Sequence, residues 1–314
     1  MDRTLDRSRM EVTLAALVGS CDVDGGPTDE QWALMGALAS GYFHTSIDPR
    51  SLDPLSPEQA AGRLDDEARR HRMFHLMVFA EMCRHPLTEA QVERTDSYAR
   101  AFGITDDGQT MARDLVARGN AAAEADFMRS FAARRSELEE PAMAHRSGAD
   151  DTGIGQDEID PEVFERIASL GDCPAGSLGR AFAEFYETNG FELPHPDDPY
   201  AGVFAAHDMT HVIAAYGPSG LEEVALGAMQ IGMADTEVHW IQFLGNLGVH
   251  EARFVHHTDA PPVLAAPGAM DVVAHAFERG TLTARDFSVV DHLSMADLQL
   301  EEVRARFGVA PRER

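Results

Sequence analysis

Apolar residues recur at helical spacing along most of this 314-residue chain. Residues that favour helices (Ala, Leu, Met, Glu and Arg) dominate, and alternating runs of β-branched residues are nearly absent. The pattern predicts helices in the first half over Val12–Val18, Asp29–Tyr42, Pro57–Cys83, Thr88–Phe102 and Thr110–Leu138, with N-caps at Asp29, Ser56 and Thr88. It predicts helices in the second half over Pro161–Ser169, Ser177–Asn189, Pro199–Ala215, Gly220–Gly232, Thr236–Gly245, Met270–Gly280 and Leu298–Phe307. The sequence therefore predicts an all-α fold.

A polar stretch divides the chain. Residues His145 to Pro161 (HRSGADDTGIGQDEIDP) are rich in Gly, Asp and Ser, and such a composition buries little apolar area. The charge also changes here, because residues 151–314 hold 27 acidic residues and nine arginines, whereas residues 1–150 hold 26 and 17. We therefore predict a helical domain over residues 1–145, an acidic linker over 146–160 and a second helical domain, a bundle with a metal site on facing helices, over 161–314.

The charge composition excludes several classes of function. The chain has 53 acidic and 26 basic residues, a formal charge of −27, and every basic residue is arginine. Without lysine there is no Schiff-base amine and no phosphate-loop lysine. Nucleic acid and anionic lipid are poor partners, because neutralising phosphates requires a basic surface.

Cysteine usage and hydropathy indicate the compartment. Three cysteines lie far apart and form no C-x-x-C pair, so a disulfide framework is not expected. The N-terminus has no apolar stretch followed by a small-residue cleavage site, and no apolar run reaches the length of a membrane span. We therefore expect a cytoplasmic protein without an integral membrane span.

The segment HDMTHVIAAYGPSGLEE, residues 207–223, carries the clearest candidate for chemistry. His207 and His211 are one helical turn apart, so both rings project from one face and can meet one ion. Asp208 precedes His211 by three residues and leans toward the same side. The residues YGPSG end the helix, and an antiparallel partner helix would return Glu223 to the histidine pair. Two imidazoles and two carboxylates suit zinc, iron or manganese rather than calcium.

The complete pattern, H-D-x-x-H followed by eleven residues and a glutamate, resembles the signature of the ubiquinone-biosynthesis protein 4 family. Three flanking segments are also similar to that family: CPAGSLGRAFAEFYETNGF (173–191), GLEEVALGAMQIGMAD (220–235) and LQLEEVRARFGVAP (298–311). The resemblance covers residues 155–311 and leaves the N-terminal half outside. It implies an all-α domain that binds one divalent metal, zinc in the first place and iron or manganese for redox chemistry, through His207, Asp208, His211 and Glu223.

The resemblance also implies a reaction, the oxidative removal of the ring carboxylate of a prenylated hydroxybenzoate with hydroxylation at that carbon, beside an apolar channel. We therefore expect a metal-dependent decarboxylase, hydroxylase or lyase that acts on a lipophilic, prenylated or polyketide-like aromatic acid, in ubiquinone biosynthesis or in specialised metabolism. Arg180 would hold a substrate carboxylate or form a surface ion pair. The alternative is a non-catalytic, metal-stabilised protein that binds or presents quinone intermediates. Further expected partners are a second copy of the chain, as a homodimer, or other biosynthetic enzymes.

Two patches in the first half are weaker candidates. The loop CDVDGGPTDEQW, residues 21–32, places Asp22, Asp24 and Glu30 around a Gly-Gly turn, and this helix-loop-helix faintly resembles the tellurite-resistance protein B family. The ordinary interpretation is a solvated turn. Steps of four residues put Glu67, His71 and His75 on one helical face, but neighbouring arginines would repel a cation there.

Several histidines and methionines of the second half have two interpretations. His250, His256 and His257 would extend a metal site or be exposed, and His239 with Trp240 would line a pocket or cap a helix. Met229 and Met233 have the spacing of a core face and also suit a channel for a flexible tail. The core interpretation is favoured for the methionines.

Overall fold

The computed structural model describes residues 7–64, 66–104, 161–194, 201–253 and 261–312. These residues form twelve α-helices and no β-strand, so the all-α fold class is confirmed. The helices are α1 Arg7–Ser20, α2 Asp29–Ala37, α3 Pro57–Arg63, α4 Glu67–Met82, α5 Glu89–Phe102, α6 Pro161–Ala168, α7 Leu178–Asn189, α8 Ala201–Ala214, α9 Gly220–Met233, α10 Glu237–His250, α11 Ala269–Leu282 and α12 Leu300–Phe307. Within these ranges we find no helix whose length and apolarity suffice to cross a bilayer.

Side-chain caps explain where several helices begin. Ser56 and Thr88 accept hydrogen bonds from the third backbone N–H of α3 and α5, as predicted. The predicted cap at Asp29 is wrong by one residue. Thr28 caps α2 instead, because its hydroxyl accepts from the Gln31 N–H while the Gln31 side chain accepts from the Thr28 N–H. This reciprocal capping box satisfies two donors at once.

The single helix predicted over Pro57–Cys83 is also wrong, since the structure has two helices there. Leu64 is extended, with φ −95° and ψ 100°, and ends α3. Asp66 is extended too, and its carboxylate accepts a 2.8 Å hydrogen bond from the Arg69 N–H at the start of α4. Asp competes for backbone donors and therefore favours a helix start over a helix interior.

The other predicted helices differ from the observed ones mainly at their ends. The largest extension is in α1, which runs over Arg7–Ser20 instead of Val12–Val18, and α10 runs to His250 instead of Gly245. The helix predicted over Thr110–Leu138 and the linker predicted over 146–160 lie outside the described residues. The boundary between the predicted domains stays a prediction.

The chain forms two compact units. The first contains Met1–Phe131 and Trp240–Glu278, and the second contains Ala132–His239 and Arg279–Arg314. At the centre of the first unit, Phe79 meets Phe243 edge-on with ring centroids 4.8 Å apart. Trp240 lies 6.0 Å from Phe243, and all three side chains are fully buried. Edge-on aromatic contacts of this kind stabilise a core beyond the area that they bury.

In the second unit, the start of α7 is anchored by backbone contacts. The N–H groups of Leu178 and Gly179 donate to the carbonyls of Leu298 and Ala296 at 2.9 and 2.8 Å. A Cβ atom at Gly179 would lie 2.8 Å from the Sγ of Cys173, so the close approach requires glycine. Helix α7 also packs against α8.

Candidate metal centre

Two histidines project from one face of α8. His207 and His211 are one turn apart, and their ring centroids lie 4.7 Å apart with the planes at 81°. Their Nε2 atoms are 3.0 Å apart. His211 is fully buried, whereas the side chain of His207 is 16% exposed. The predicted pairing of these side chains is therefore present in the structure.

A carboxylate from the next helix completes the cluster. The turn after α8 reverses the chain, and Glu223 lies in the first turn of α9. One of its oxygens lies 3.1 Å from the Nε2 of His207, and the other lies 3.2 Å from the Nε2 of His211. The expected return of Glu223 to the histidine pair is thus what the structure shows.

Backbone contacts determine which nitrogen of His211 faces the cluster. The Nδ1 of His211 lies 3.3 Å from the carbonyl oxygen of Tyr216, which can only accept a hydrogen bond, so Nδ1 carries the proton. In the neutral ring Nε2 is then an acceptor, and it faces a carboxylate oxygen of Glu223 and the Nε2 of His207. These atoms repel one another unless a cation, either protons or a metal ion, lies among them.

The donor set and its spacing suit a transition-metal ion. Ligand atoms about 2.1 Å from one ion lie roughly 3.0 Å apart at octahedral corners and roughly 3.4 Å apart at tetrahedral corners. The three distances among His207, His211 and Glu223 are 3.0, 3.1 and 3.2 Å, within that range. Imidazole with carboxylate is a ligand set for zinc, iron or manganese. The residues present therefore fit the metal that the sequence predicted.

Asp208 lies on the same helix beside the pair. One of its oxygens and the ligand nitrogens of His207 and His211 all lie within 4.8 Å of one another. Its Oδ2 accepts a hydrogen bond from the hydroxyl of Tyr186 on α7. Asp208 and the two histidines therefore also meet the spacing of a metal site. The structure thus brings together all four residues that the motif predicted.

The two carboxyls have pKa values shifted in opposite directions. Burial raises the pKa of Asp208 above its ordinary value, and the charge of His207 and the hydrogen bond from Tyr186 oppose this only in part. Burial acts on the pKa of Glu223 in the same direction, but the charges and hydrogen bonds of His207 and His211 outweigh it and lower that pKa well below its ordinary value. Glu223 is therefore ionised at neutral pH.

We predict that Asp208→Asn separates stability from metal affinity. Because the pKa of Asp208 is raised in the folded chain, stability that this group contributes in acid is lost as the pH rises through the raised pKa. The metal-free variant should thus be at least as stable as the wild type at neutral pH, while its metal affinity falls. Urea unfolding of both metal-free proteins checks this, and the difference should vanish well below the ordinary pKa of 3.8. A clear loss of stability in the metal-free variant at neutral pH would contradict it.

Three arginines hold the end of α8 next to the cluster. The carbonyls of residues 212–215 accept hydrogen bonds of 2.7 to 3.0 Å from Arg279, Arg304 and Arg312. The ring of Tyr216 lies under two of these guanidiniums, 5.1 Å from Arg279 and 4.5 Å from Arg312. Cations at a helix C-terminus satisfy its free carbonyls and oppose its negative partial charge. This arrangement fixes the carbonyl that orients His211.

Aromatic side chains of α7 border the cluster. The ring of Phe185 stacks on His211 with centroids 5.8 Å apart and planes at 25°. Gly190 ends α7 in the left-handed conformation, with φ 69°, and turns the chain so that Phe191 meets Phe185 at 6.3 Å. Phe191 is 46% exposed. One side of the cluster is therefore aromatic.

Arg180 has partners of its own. Its Nε donates to Glu184 at 2.9 Å, and another guanidinium nitrogen donates to the carbonyl of Gly171 at 2.7 Å. These contacts match the surface ion pair that the sequence left open. A contact between Arg180 and a substrate stays a prediction.

The acidic loop of residues 21–32 is held by hydrogen bonds to protein groups. Thr88 donates to the carboxylate of Asp24 at 2.7 Å. Arg84 donates to the carbonyl of Val23 at 2.9 Å, and Arg94 donates to the carbonyl of Asp22 at 3.1 Å. These contacts match the ordinary interpretation of the loop as a turn.

The second weak patch is not gathered into a metal-like cluster. His75 is buried, its Nδ1 lies 3.0 Å from Arg72, and its ring stacks on Trp240 with centroids 5.4 Å apart. Within the described residues Glu67, His71 and His75 do not meet the spacing of a metal site. The guanidinium of Arg72 beside His75 would repel a metal cation, as the sequence predicted.

The remaining ambiguous residues lie mostly in cores. Met229 and Met233 are buried, as the core interpretation predicted. His239 is fully buried and bonds to the carbonyl of Ala234 at 2.7 Å and to the hydroxyl of Ser288 at 2.8 Å. His256 and His257 lie outside the described residues.

The cysteines carry no reactive thiol. All three are buried and free. Burial raises the pKa of Cys21 to about 12 and raises the pKa values of Cys83 and Cys173 as well. Because the thiolate is the nucleophile and the metal ligand, none of them is prepared for either role.

Sequence reasoning missed the groups that orient the predicted ligands. These are the hydroxyl of Tyr186, the carbonyl of Tyr216, the ring of Phe185 and the arginines at the end of α8. Tyr216 could have been found, because it stands five residues after His211 where the helix ends. No local pattern marks the others.

Comparisons with known proteins add little. No protein-family model and no curated protein matches the sequence. Among solved structures, the chain is similar to a protein from Nostoc punctiforme assigned to ubiquinone biosynthesis, with 15% identity and a TM-score of 0.35. The match covers 79% of this chain and 99% of that chain. At that identity and TM-score, the likeness supports no argument about fold, site or activity.

Proposed function

We propose that this protein is a metal-dependent enzyme that acts on a lipophilic aromatic acid, prenylated or polyketide-like. One observation carries the proposal: the Nε2 atoms of His207 and His211 lie 3.0 Å apart, and each lies 3.1 to 3.2 Å from one oxygen of the Glu223 carboxylate on the next helix. Acceptors this close need a cation among them, either protons or a metal ion, and this set of ligands suits a metal ion.

His207, His211 and Glu223 would hold the metal, with Asp208 beside them. When bound, the ion supplies Lewis-acid polarisation of a substrate oxygen and, if it is iron or manganese, a redox centre. The chain itself contributes orientation. The Tyr216 carbonyl holds the proton on Nδ1 of His211, which leaves Nε2 as the ligand atom.

The substrate class is supported by the aromatic border of the cluster. Phe185 is half-buried against His211, and Phe191 exposes almost half of its surface beside it. Aromatic side chains offer an apolar face to a ring or a prenyl tail and exclude water from it. No lysine or reactive cysteine is available for covalent chemistry, and the proposed reaction needs neither.

The proposed reaction breaks the bond between the ring and its carboxylate and forms a C–O bond at the same carbon. In balanced form, an aromatic acid, dioxygen and water give a phenol, carbon dioxide and hydrogen peroxide. Dioxygen is thus the oxidant and accepts two electrons. The chain would bind the substrate along Phe185 and Phe191 and would keep bulk water from the reacting carbon.

The test is release of carbon dioxide from a carboxyl-labelled, prenylated 4-hydroxybenzoate. The protein is loaded in turn with zinc, iron or manganese under air. Metal-dependent release, lost after chelation, is the expected result. Tight binding of the same acid without release would favour the alternative, a non-catalytic protein that presents such intermediates. Neither binding nor release would remove the proposed substrate class.

A further inference from the structure

Tyr186 is rigidly held on α7 beside the metal centre. Its side chain is 4% exposed. Its ring lies 4.6 Å from the ring of Phe182 and 5.9 Å from that of Phe191, measured between centroids. Because the ring is packed by neighbours, its hydroxyl has a fixed position.

That hydroxyl donates a hydrogen bond to Oδ2 of Asp208, across 22 residues of sequence. A carboxylate has two oxygens, and a donor on one of them restricts rotation about the Cβ–Cγ bond. The other oxygen of Asp208 is then presented in one orientation. The bond is therefore a constraint on a candidate ligand.

The other ligands of the cluster are constrained in comparable ways. The carbonyl of Tyr216 orients His211. Glu223 is placed by the start of α9 and by its contacts with both histidines. The hydrogen bond from Tyr186 gives Asp208 a comparable constraint. Mutation of a group that holds a metal ligand commonly lowers the metal affinity by about 10–100-fold.

We propose that Tyr186 is a positioning residue of the metal centre, which holds Asp208 by its Oδ2 so that the other oxygen is available to the metal. This inference rests on the proposed function, since it requires that the cluster binds a metal. It assigns to α7 a role in metal affinity in addition to its role in bordering the substrate.

The test is a titration of the metal-free protein with Co²⁺, whose visible absorption reports both affinity and ligand geometry. Tyr186→Phe should weaken Co²⁺ binding by about 10–100-fold and alter the absorption spectrum. The matched control is Tyr98→Phe. It also removes a buried hydroxyl, one that donates to the carbonyl of Leu55 in the first unit, and it should leave affinity and spectrum unchanged.

A double-mutant cycle with Asp208→Asn distinguishes positioning from a general structural effect. If Tyr186 acts through the carboxylate, then removal of its hydroxyl in the Asp208→Asn background should not weaken Co²⁺ binding further. Because this comparison uses only Asp208→Asn and the double variant, it tests the positioning role even if Tyr186→Phe alone does not fold. A further loss of affinity in the double variant overturns the inference, as does wild-type affinity and spectrum in Tyr186→Phe.

A His211→Ala variant separates the two proposals. If it binds Co²⁺ as the wild type does, the metal centre itself is wrong. If it loses Co²⁺ while Tyr186→Phe keeps wild-type affinity, only the positioning role fails.

Discussion

Replacing His211 by alanine is expected to lower the metal content of the purified protein from about one ion per chain to almost none. His211 supplies the fully buried nitrogen of the cluster, 3.0 Å from His207 and 3.2 Å from Glu223. Its loss leaves one imidazole and the carboxylates of Asp208 and Glu223, without the buried nitrogen that binds a transition-metal ion most strongly. Glu223→Ala should have the same effect, because it removes the charge that balances the ion.

Elemental analysis of protein purified without added metal measures this content. The matched control is His75→Ala. Both histidines are buried on a helix, and each ring stacks on an aromatic neighbour, Phe185 for His211 and Trp240 for His75. The control therefore creates a comparable cavity in the first unit and should retain the metal. Unchanged metal content in both His211→Ala and Glu223→Ala would refute the site.

Gly280→Ala is expected to lower the free energy of unfolding by about 3 kcal/mol or more. A Cβ atom at this position in α11 would lie 2.1 Å from the carbonyl oxygen of Met229 and 2.8 Å from the Cα of Gly232 in α9. Both contacts are with backbone, so the clash cannot be relieved by turning a side chain. The two helices would have to separate.

Gly36→Ala is the control with the opposite sign. Gly36 also lies inside a helix, α2, but a Cβ atom there would meet nothing within 4 Å. Alanine should raise the free energy of unfolding by about 0.5–1 kcal/mol, since it lowers the conformational entropy of the unfolded chain. Chemical unfolding followed by circular dichroism measures both variants. A Gly280→Ala protein as stable as the wild type would contradict the close approach of Gly280 to the backbone of Met229 and Gly232.

Local sequence patterns predicted the helices well, because a helix is held together by contacts between residues three and four apart. The exceptions have local causes. At Asp66 a capping side chain starts a new helix within one apolar pattern, and at Thr28 a reciprocal cap moves the start by one residue. Periodicity reports which face is buried and says little about where a cap interrupts the chain.

In the candidate site, contacts between residues near in sequence could be predicted and contacts between distant residues could not. His207 and His211 could be paired from their spacing, and Glu223 could be brought to them because the intervening turn is short. The partner of Asp208 could not be identified in this way, because Tyr186 stands 22 residues away on another helix. The arginines that hold the end of α8 are 65 to 97 residues distant from the carbonyls they bind.

The sequence alone determined the helical fold class, the types of the candidate ligands and their order along the chain. These features could be predicted because helical spacing and a short turn are local geometry. Only the tertiary structure decided how those ligands are oriented. The Tyr186 hydroxyl and the ring of Phe185 reach the cluster through the packing of α7 on α8. The arginines fix the turn that carries the Tyr216 carbonyl. Orientation depends on groups far apart in the chain, and a folded core brings such groups within hydrogen-bond distance.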